Sequence, residues 1–245
     1  MHTINFFAVP YAGSSANAVY TKWQKELGNG FKVIPLELPG RGMRMKEPFT
    51  GSMPSLIADL IKQVLPVAHS KQPYVFYGHS MGTLVVYELL REIHRLNAPP
   101  PLGVFVSGRN TPDYAYPGPE HHRLSDSQLI AELKKVSGTP PELFEVAELL
   151  QFFLPIIRED YKLLETYKFS SPAFVTEGFI TAIFSDNDDL VSLNAFRCWS
   201  HFCQGEFTLH QFSGHHFFIN NNYPKICTII REQLHQLQLS NVIVN

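Results

Sequence analysis

The stretch from Pro73 to Asn97 limits what this chain can fold into more than any other. Tyr74, Val75, Phe76 and Tyr77 make a continuous apolar run of aromatic and β-branched residues, the pattern of a strand buried on both faces. Gly78 and Gly82 then bracket Ser80 in the spacing G-x-S-x-G. That spacing suits a very sharp strand-to-helix turn. The glycines remove the β-carbons that would collide as strand and helix close on each other, and the serine is left at the tip, on strained backbone, with its hydroxyl exposed. Leu84, Val85, Val86, Leu89, Leu90 and Ile93 predict a helix apolar nearly all round at its start, and so running through the middle of the protein. Asn97 and the prolines at 99, 100 and 101 stop it.

Around this unit the pattern alternates. Residues 3 to 9 predict a strand ended by Pro10, followed by the small-residue loop Tyr11-Ala12-Gly13-Ser14-Ser15-Ala16. Val19, Trp23 and Leu27 recur at helical spacing before Gly28. Residues 31 to 37 predict a second strand, whose internal Pro35 puts it near an edge or else counts against a strand there. A helix is predicted from Ser52 to about His69, and another buried strand over residues 102 to 107. Strand and helix alternating with short connections is the signature of an open, mostly parallel sheet.

From about 121 to 170 the strand signal disappears and three helical segments follow one another. Ser125 to Gln128 form a capping box, Gly138 ends that first helix, and Thr139-Pro140-Pro141 open the second. Pro155 is expected to interrupt the second, leaving a third with Ile157, Tyr161, Leu164 and Tyr167. Apolar helices inserted between sheet strands suggest a lid whose spare apolar side chains face a greasy substrate, or else a structural helical layer that covers one sheet edge. The sheet resumes at residues 178 to 184, closed by the acidic loop Ser185-Asp186-Asn187-Asp188-Asp189. A helix carries Ala195, Phe196, Trp199 and Phe202; a last strand runs from Glu206 to Phe212; Ser213-Gly214-His215-His216 follows, then a helix to about Leu239. Residues 1 to 245 are expected to form one domain carrying the lid insertion.

Composition excludes several functions. A formal net charge of −2 argues against a nucleic-acid footprint and a polybasic membrane surface. No apolar run approaches the ~20 residues of a spanning helix. The first ten residues read as a strand and not as a signal peptide. Cys198, Cys203 and Cys227 have no metal-site spacing and suggest free thiols in a reducing, cytoplasmic compartment.

A serine hydroxyl is a poor nucleophile until a base takes its proton, and an imidazole serves best when a carboxylate holds its other nitrogen. In α/β hydrolases these groups occur in the order serine, acid, histidine, on loops at the carboxyl ends of strands. This chain supplies Ser80, then Asp186, Asp188 or Asp189 after one strand, then His215 or His216 after the last. Spacing does not choose among them, although Phe217, Phe218 and Ile219 would bury one side of the His216 ring. His79 adjoins Ser80 and is badly placed to be its base. Acyl transfer also needs two donors aimed at the developing oxyanion. The backbone N–H of Met81, at a helix N-terminus, is one candidate, and the loop after the first strand, near Ala12, offers the other.

The sequence resembles the type II thioesterases that accompany nonribosomal peptide and polyketide synthases, a group similar to the medium-chain thioesterases of fatty acid synthesis. The resemblance rests on Pro10-Tyr11-Ala12-Gly13, Leu38-Pro39-Gly40-Arg41-Gly42 with Glu47-Pro48, Gly78-His79-Ser80-Met81-Gly82, Leu124-Ser125-Asp126 to Gly138-Thr139-Pro140, Leu154 to Asp160, and Gly214-His215-His216-Phe217-Phe218, which span nearly the whole chain in order. It implies an α/β-hydrolase fold, a mostly parallel central sheet flanked by helices with an inserted helical lid. It also implies Ser80 as nucleophile, Asp188 as acid and His216 as base. The expected substrate is an acyl or aminoacyl thioester on the phosphopantetheine arm of a carrier protein domain, hydrolysed without metal or cofactor by a monomer that edits misprimed or stalled synthases. A general carboxylesterase or lipase, and a non-catalytic carrier-binding fold, are the rival readings. Lys134, Lys135 and Arg158 in the lid are candidate bases for a partner surface, or else a solvated face. The chain departs from the family at Ser14 and Ser185, where glycines are usual, and at His215, where a small or acidic residue is usual. A serine at position 14 would be strained if the backbone there required a positive φ.

Overall fold

The computed structural model describes residues 3–114, 119–136 and 142–243. Gly138 and Thr139-Pro140-Pro141, expected to separate two lid helices, lie outside the described residues.

Six strands form one sheet: β1 (Ile4–Val9), β2 (Phe31–Pro35), β3 (Tyr74–His79), β4 (Gly103–Ser107), β5 (Phe179–Ser185) and β6 (Phe207–Phe212). Their spatial order is β2-β1-β3-β4-β5-β6, and every neighbouring pair is parallel. The four central strands are buried at every residue, as continuous apolar runs require in a sheet covered on both faces. Pro35 sits at the end of the edge strand β2, opposite Ala8, where its missing donor costs no central ladder bond.

Helices cover both faces. On one side α1 (Ala16–Tyr20), α2 (Trp23–Leu27) and α9 (Ile219–Ile243) pack Trp23, Leu27, Ile226 and Ile230 onto Phe6, Tyr77 and Phe105. The single helix expected over Val19 to Leu27 is thus two, divided by a tightened turn in which the Gln24 N–H bonds the Thr21 carbonyl. On the other face α3 (Met53–His69) and α4 (Met81–Arg95) bury Leu56, Leu60, Leu84 and Leu89 against Phe76 and Val104. Every residue of α4 from Met81 to Tyr87 is buried, in keeping with its apolar circumference, and Asn97 at φ 51° ends the segment in a left-handed turn.

Between β4 and β5 lie α5 (Asp126–Leu133), α6 (Glu142–Glu145) and α7 (Ala147–Glu165). The capping box at Ser125 and Gln128 forms as the sequence predicts. Pro155, however, does not interrupt the helix: α7 runs unbroken through it. The proline faces solvent, so the carbonyl that loses its partner can bond water, and Ile156 and Ile157 beside it hold the helix down by burial. The sequence's break falls earlier, at Val146. A short helix, α8 (Leu193–Arg197), and a 3-10 turn over Cys198–Phe202 follow β5. No helix among the described residues is long and apolar enough to cross a membrane.

Candidate active site

The strand-to-helix turn after β3 explains both glycines of the G-x-S-x-G segment. A β-carbon on Gly82 would lie 2.2 Å from the Val9 carbonyl oxygen, and one on Gly78 would lie 2.4 Å from the Gly82 carbonyl oxygen. Only hydrogen fits at either position, and that fit lets α4 start against the end of β1. Ser80 itself is held at φ 53°, ψ −116°, a conformation that costs a non-glycine residue about 1–3 kcal/mol. Its neighbours fix it there. The Ser80 N–H donates to the Ser107 carbonyl at 2.8 Å, and the buried Thr83 hydroxyl donates to the carbonyls of Gly78 and Ser107 at 2.8 and 2.9 Å.

Two further loops reach this serine from the carboxyl ends of β5 and β6. Their backbones continue to pair beyond the strands, Asp186 N–H to Phe212 O and Asn187 N–H to Gly214 O. That pairing brings Asp188 and His216 together. His216 Nδ1 lies 2.8 Å from Asp188 Oδ2, and His216 Nε2 lies 2.9 Å from Ser80 Oγ. A carboxylate on Nδ1 fixes the tautomer, leaving Nε2 to accept the serine proton. Asp188 Oδ1 accepts the Leu190 N–H at 3.0 Å, and the Asp188 side chain is fully buried.

The competing candidates point elsewhere. Asp186 accepts from Gly214 N–H and the Ser213 hydroxyl and so fastens the β6–α9 loop, while Asp189 is exposed at the cavity rim. His215 turns outward, with Nδ1 3.2 Å from the Asn187 carbonyl. His79 packs beneath the site with Nδ1 2.9 Å from Ser107 Oγ and its ring 5.1 Å from that of His216. Burial, with His216 nearby, pushes the His79 imidazole well below the ordinary histidine range, so it is neutral.

Met81 begins α4, where the first N–H groups of a helix have no partner within it. Ala12 lies on the loop after β1, which α4 touches through Gly82, and it lines the same cavity as Ser80 and His216. The positive φ of this loop falls at Gly13 (φ 79°), not at position 14, so Ser14 carries no such strain; its hydroxyl bonds the Tyr11 carbonyl at 2.7 Å. Ser185 likewise has a use that a glycine would lack, since its hydroxyl donates to the His215 carbonyl at 3.1 Å and steadies the histidine loop.

The cavity holds about 970 Å³ and runs from Ser80 beneath α5 and α7, where Leu133, Leu149, Phe153, Ile157 and Leu164 give it an apolar wall. Each of the three candidate bases has a partner within the chain, and Lys134 and Lys135 remain exposed. Arg158 donates to the carbonyls of His122 and Leu124 and pairs with Asp126, Lys135 pairs with Glu132, and Lys134 lies over the Phe144 ring.

Sequence reasoning missed three buried charges nearby. Asp160 on α7 and Arg41 form a bidentate ion pair, and Glu37 accepts bonds from Ser15, Ala16 and Asn17 at the start of α1. The only signal for Arg41 and Asp160 was the P-G-R-G and R-E-D segments, which carry no recognisable chemistry until folded, and Glu37 lies in neither.

A hydrogen-bonded serine, histidine and buried aspartate on strand-end loops of a parallel sheet define a serine hydrolase of the α/β-hydrolase class. The thioesterase domain family matches residues 5–234, and the chain belongs to that family. The linear gramicidin dehydrogenase LgrE of Brevibacillus parabrevis is 34% identical over 231 residues, covering 93% of this chain and 86% of the relative. That relative's name denotes an oxidoreductase; the family and the site described above are those of a hydrolase. The crystal structure of ClbQ from the colibactin NRPS/PKS pathway superposes with a TM-score of 0.92 at 30% identity, covering 97% of this chain and 99% of ClbQ. The type II thioesterase BorB from the borrelidin biosynthetic cluster gives 0.81 at 32% identity, covering 95% and 93%. This protein is a type II thioesterase, a serine hydrolase of thioesters in secondary metabolism.

Proposed function

We propose that the protein hydrolyses acyl and aminoacyl thioesters carried on the phosphopantetheine arm of carrier protein domains, in the cytoplasm, clearing misprimed or stalled chains from a synthase. The observation that carries this reading is the relay Ser80 Oγ, His216 Nε2, His216 Nδ1, Asp188 Oδ2, with links of 2.9 and 2.8 Å, opening into an apolar cavity.

The reaction follows from that geometry. Ser80 Oγ attacks the thioester carbonyl as its proton passes to His216 Nε2. The carbonyl oxygen takes up negative charge against the N–H groups of Met81 and Ala12. The buried Asp188 carboxylate stabilises the imidazolium. Collapse breaks the C–S bond, the thiol leaves with the proton from His216, and an acyl-Ser80 remains. Water then gives its proton to His216, attacks the acyl carbonyl, and releases the carboxylic acid as Ser80 recovers its hydrogen. A thiol of pKa ~8.5 needs less help to leave than an alcohol or amine, so the relay by itself does not select thioesters. Selection falls to the acyl wall of the cavity and to the carrier. The wall residues of α5 and α7 belong to the segment from about 121 to 170, which acts as a lid over Ser80.

The test compares hydrolysis of an acyl thioester on a carrier domain with that of the corresponding oxyester, in wild type and Ser80→Ala, with a serine-directed phosphonate as covalent label. The expected result is preference for the carrier thioester and labelling that Ser80→Ala abolishes. Preference for the oxyester points instead to a general esterase, and absence of labelling in wild type ends the enzyme reading.

A further inference from the structure

Helix α7 also meets the loop after β1. The Asp160 side chain has no exposed surface, and its two oxygens lie 2.6 Å from Nη2 and Nη1 of Arg41. Asp160 Oδ2 additionally accepts the Gly13 N–H at 2.7 Å, and Arg41 Nη1 reaches the Ser14 carbonyl at 3.4 Å. Burial opposes the charge on Arg41, but Asp160, Glu37 and Glu159 outweigh it and raise its pKa. Both ends of the pair therefore grip one loop, that between β1 and α1.

The effect on that loop can be followed amide by amide. Gly13 N–H goes to Asp160, Ser14 N–H to the Tyr11 carbonyl, and the N–H groups of Ala16 and Asn17 to Glu37. Among the described residues the Ala12 N–H meets no protein acceptor, and Ala12 faces the cavity shared with Ser80. Fixing the peptide plane between residues 12 and 13 restricts rotation of the plane before it, which carries that free N–H. Contact reinforces the bond, since a β-carbon on Gly13 would lie 2.8 Å from Ile157 Cγ1, so α7 sits directly on this residue. Stability alone does not account for the pair, because buried ion pairs are often no more stabilising than apolar groups of the same shape.

We propose that Asp160, oriented by Arg41, is a positioning residue that sets the Ala12 amide for the oxyanion and ties the oxyanion loop to the lid helix. This rests on the acyl-transfer reading above. Asp160 touches no reacting atom; it acts through Gly13.

The test uses the full chain as wild type, Asp160→Asn and Arg41→Lys, with octanoyl-N-acetylcysteamine as substrate. Two ligands separate the states: an octyl trifluoromethyl ketone, which adds Ser80 and forms a tetrahedral oxyanion, and hexane, which has no oxygen and fills only the pocket. For Asp160→Asn we expect kcat to fall about 10- to 100-fold with KM within about threefold, because a displaced donor forfeits part of what a deleted one does. The ketone should weaken by the same factor and hexane should not. Arg41→Lys, keeping the charge but losing the fork, should show the same pattern at about three- to tenfold. A folded Asp160→Asn with wild-type kcat, or equal weakening of ketone and hexane, overturns the proposal. If circular dichroism shows Asp160→Asn unfolded, Arg41→Lys decides, and a lowered Tm with unchanged kcat overturns it. Wild type that neither hydrolyses the substrate nor labels at Ser80 fails the acyl-transfer reading and this proposal with it; active wild type beside active variants fails this proposal alone.

Discussion

The sheet-mounted loops and the helical insertion build the two halves of one site in opposite ways. Ser80, Asp188 and His216 stand on loops that leave strands buried at every residue, and their orientations are set by backbone pairing and by Thr83 and Ser107 below them. In the insertion burial is uneven along a single helix. The C-terminal part of α7 places Leu163 and Leu164 in the main core, while Val146 just before it and Leu149 and Phe152 in its first turns are about two-fifths exposed. Chemistry needs fixed distances, and a dense core supplies them. An acyl chain of variable shape needs a wall that can give, and an apolar surface with few buried neighbours supplies that.

The sharpest break of this contrast is between two adjacent histidines. His216→Ala should lower kcat on the order of 10⁴- to 10⁶-fold, because base and nucleophile act as a unit, whereas His215→Ala should stay within about threefold. Steady-state kinetics on a carrier-bound thioester reads both, and a large loss at His215 would reverse the assignment. Within α7 itself, Leu163→Ala should cost about 2–5 kcal/mol of stability and Phe152→Ala less than about 0.5 kcal/mol, measured by urea denaturation. Equal costs would show that the helix is anchored along its whole length. Next in size is Phe153→Ala, at the cavity wall, which should raise KM for a long acyl group about five- to tenfold and leave a two-carbon group unchanged.

The smallest effect tests the fixed half. His79 is neutral when folded, its pKa held well below the usual value by burial, and it takes up a proton near pH 6.5 only when unfolded. The unfolded state then binds more protons, so stability falls as pH drops below ~6.5, by up to about 1.4 kcal/mol per pH unit from this one group. His79→Gln should flatten that part of a pH series of denaturation curves, and an unaltered slope would mean that His79 takes up its proton as readily in the fold as in the unfolded chain.

Local patterning determined much of this. Continuous apolar runs and the G-x-S-x-G spacing are short-range signals, and they specify buried parallel strands, the serine turn and the order serine, acid, histidine because period and sterics act over a few residues. Pro35 offered a choice between an edge strand and no strand, since its lost donor is a local fact, and the sheet order places it on the edge. Which aspartate and which histidine meet Ser80 was not a local fact. It depends on two loops pairing past the ends of β5 and β6, and Asp188 and His216 differ from their neighbours only in where that pairing points them. Pro155 misled because its cost depends on whether the orphaned carbonyl reaches water, and only tertiary packing decides which side of α7 is wet. Arg41 and Asp160 lie 119 positions apart, and no spacing rule joins them. A charge pair across such a separation exists only once α7 has docked on the loop after β1, because each charge alone would belong in solvent.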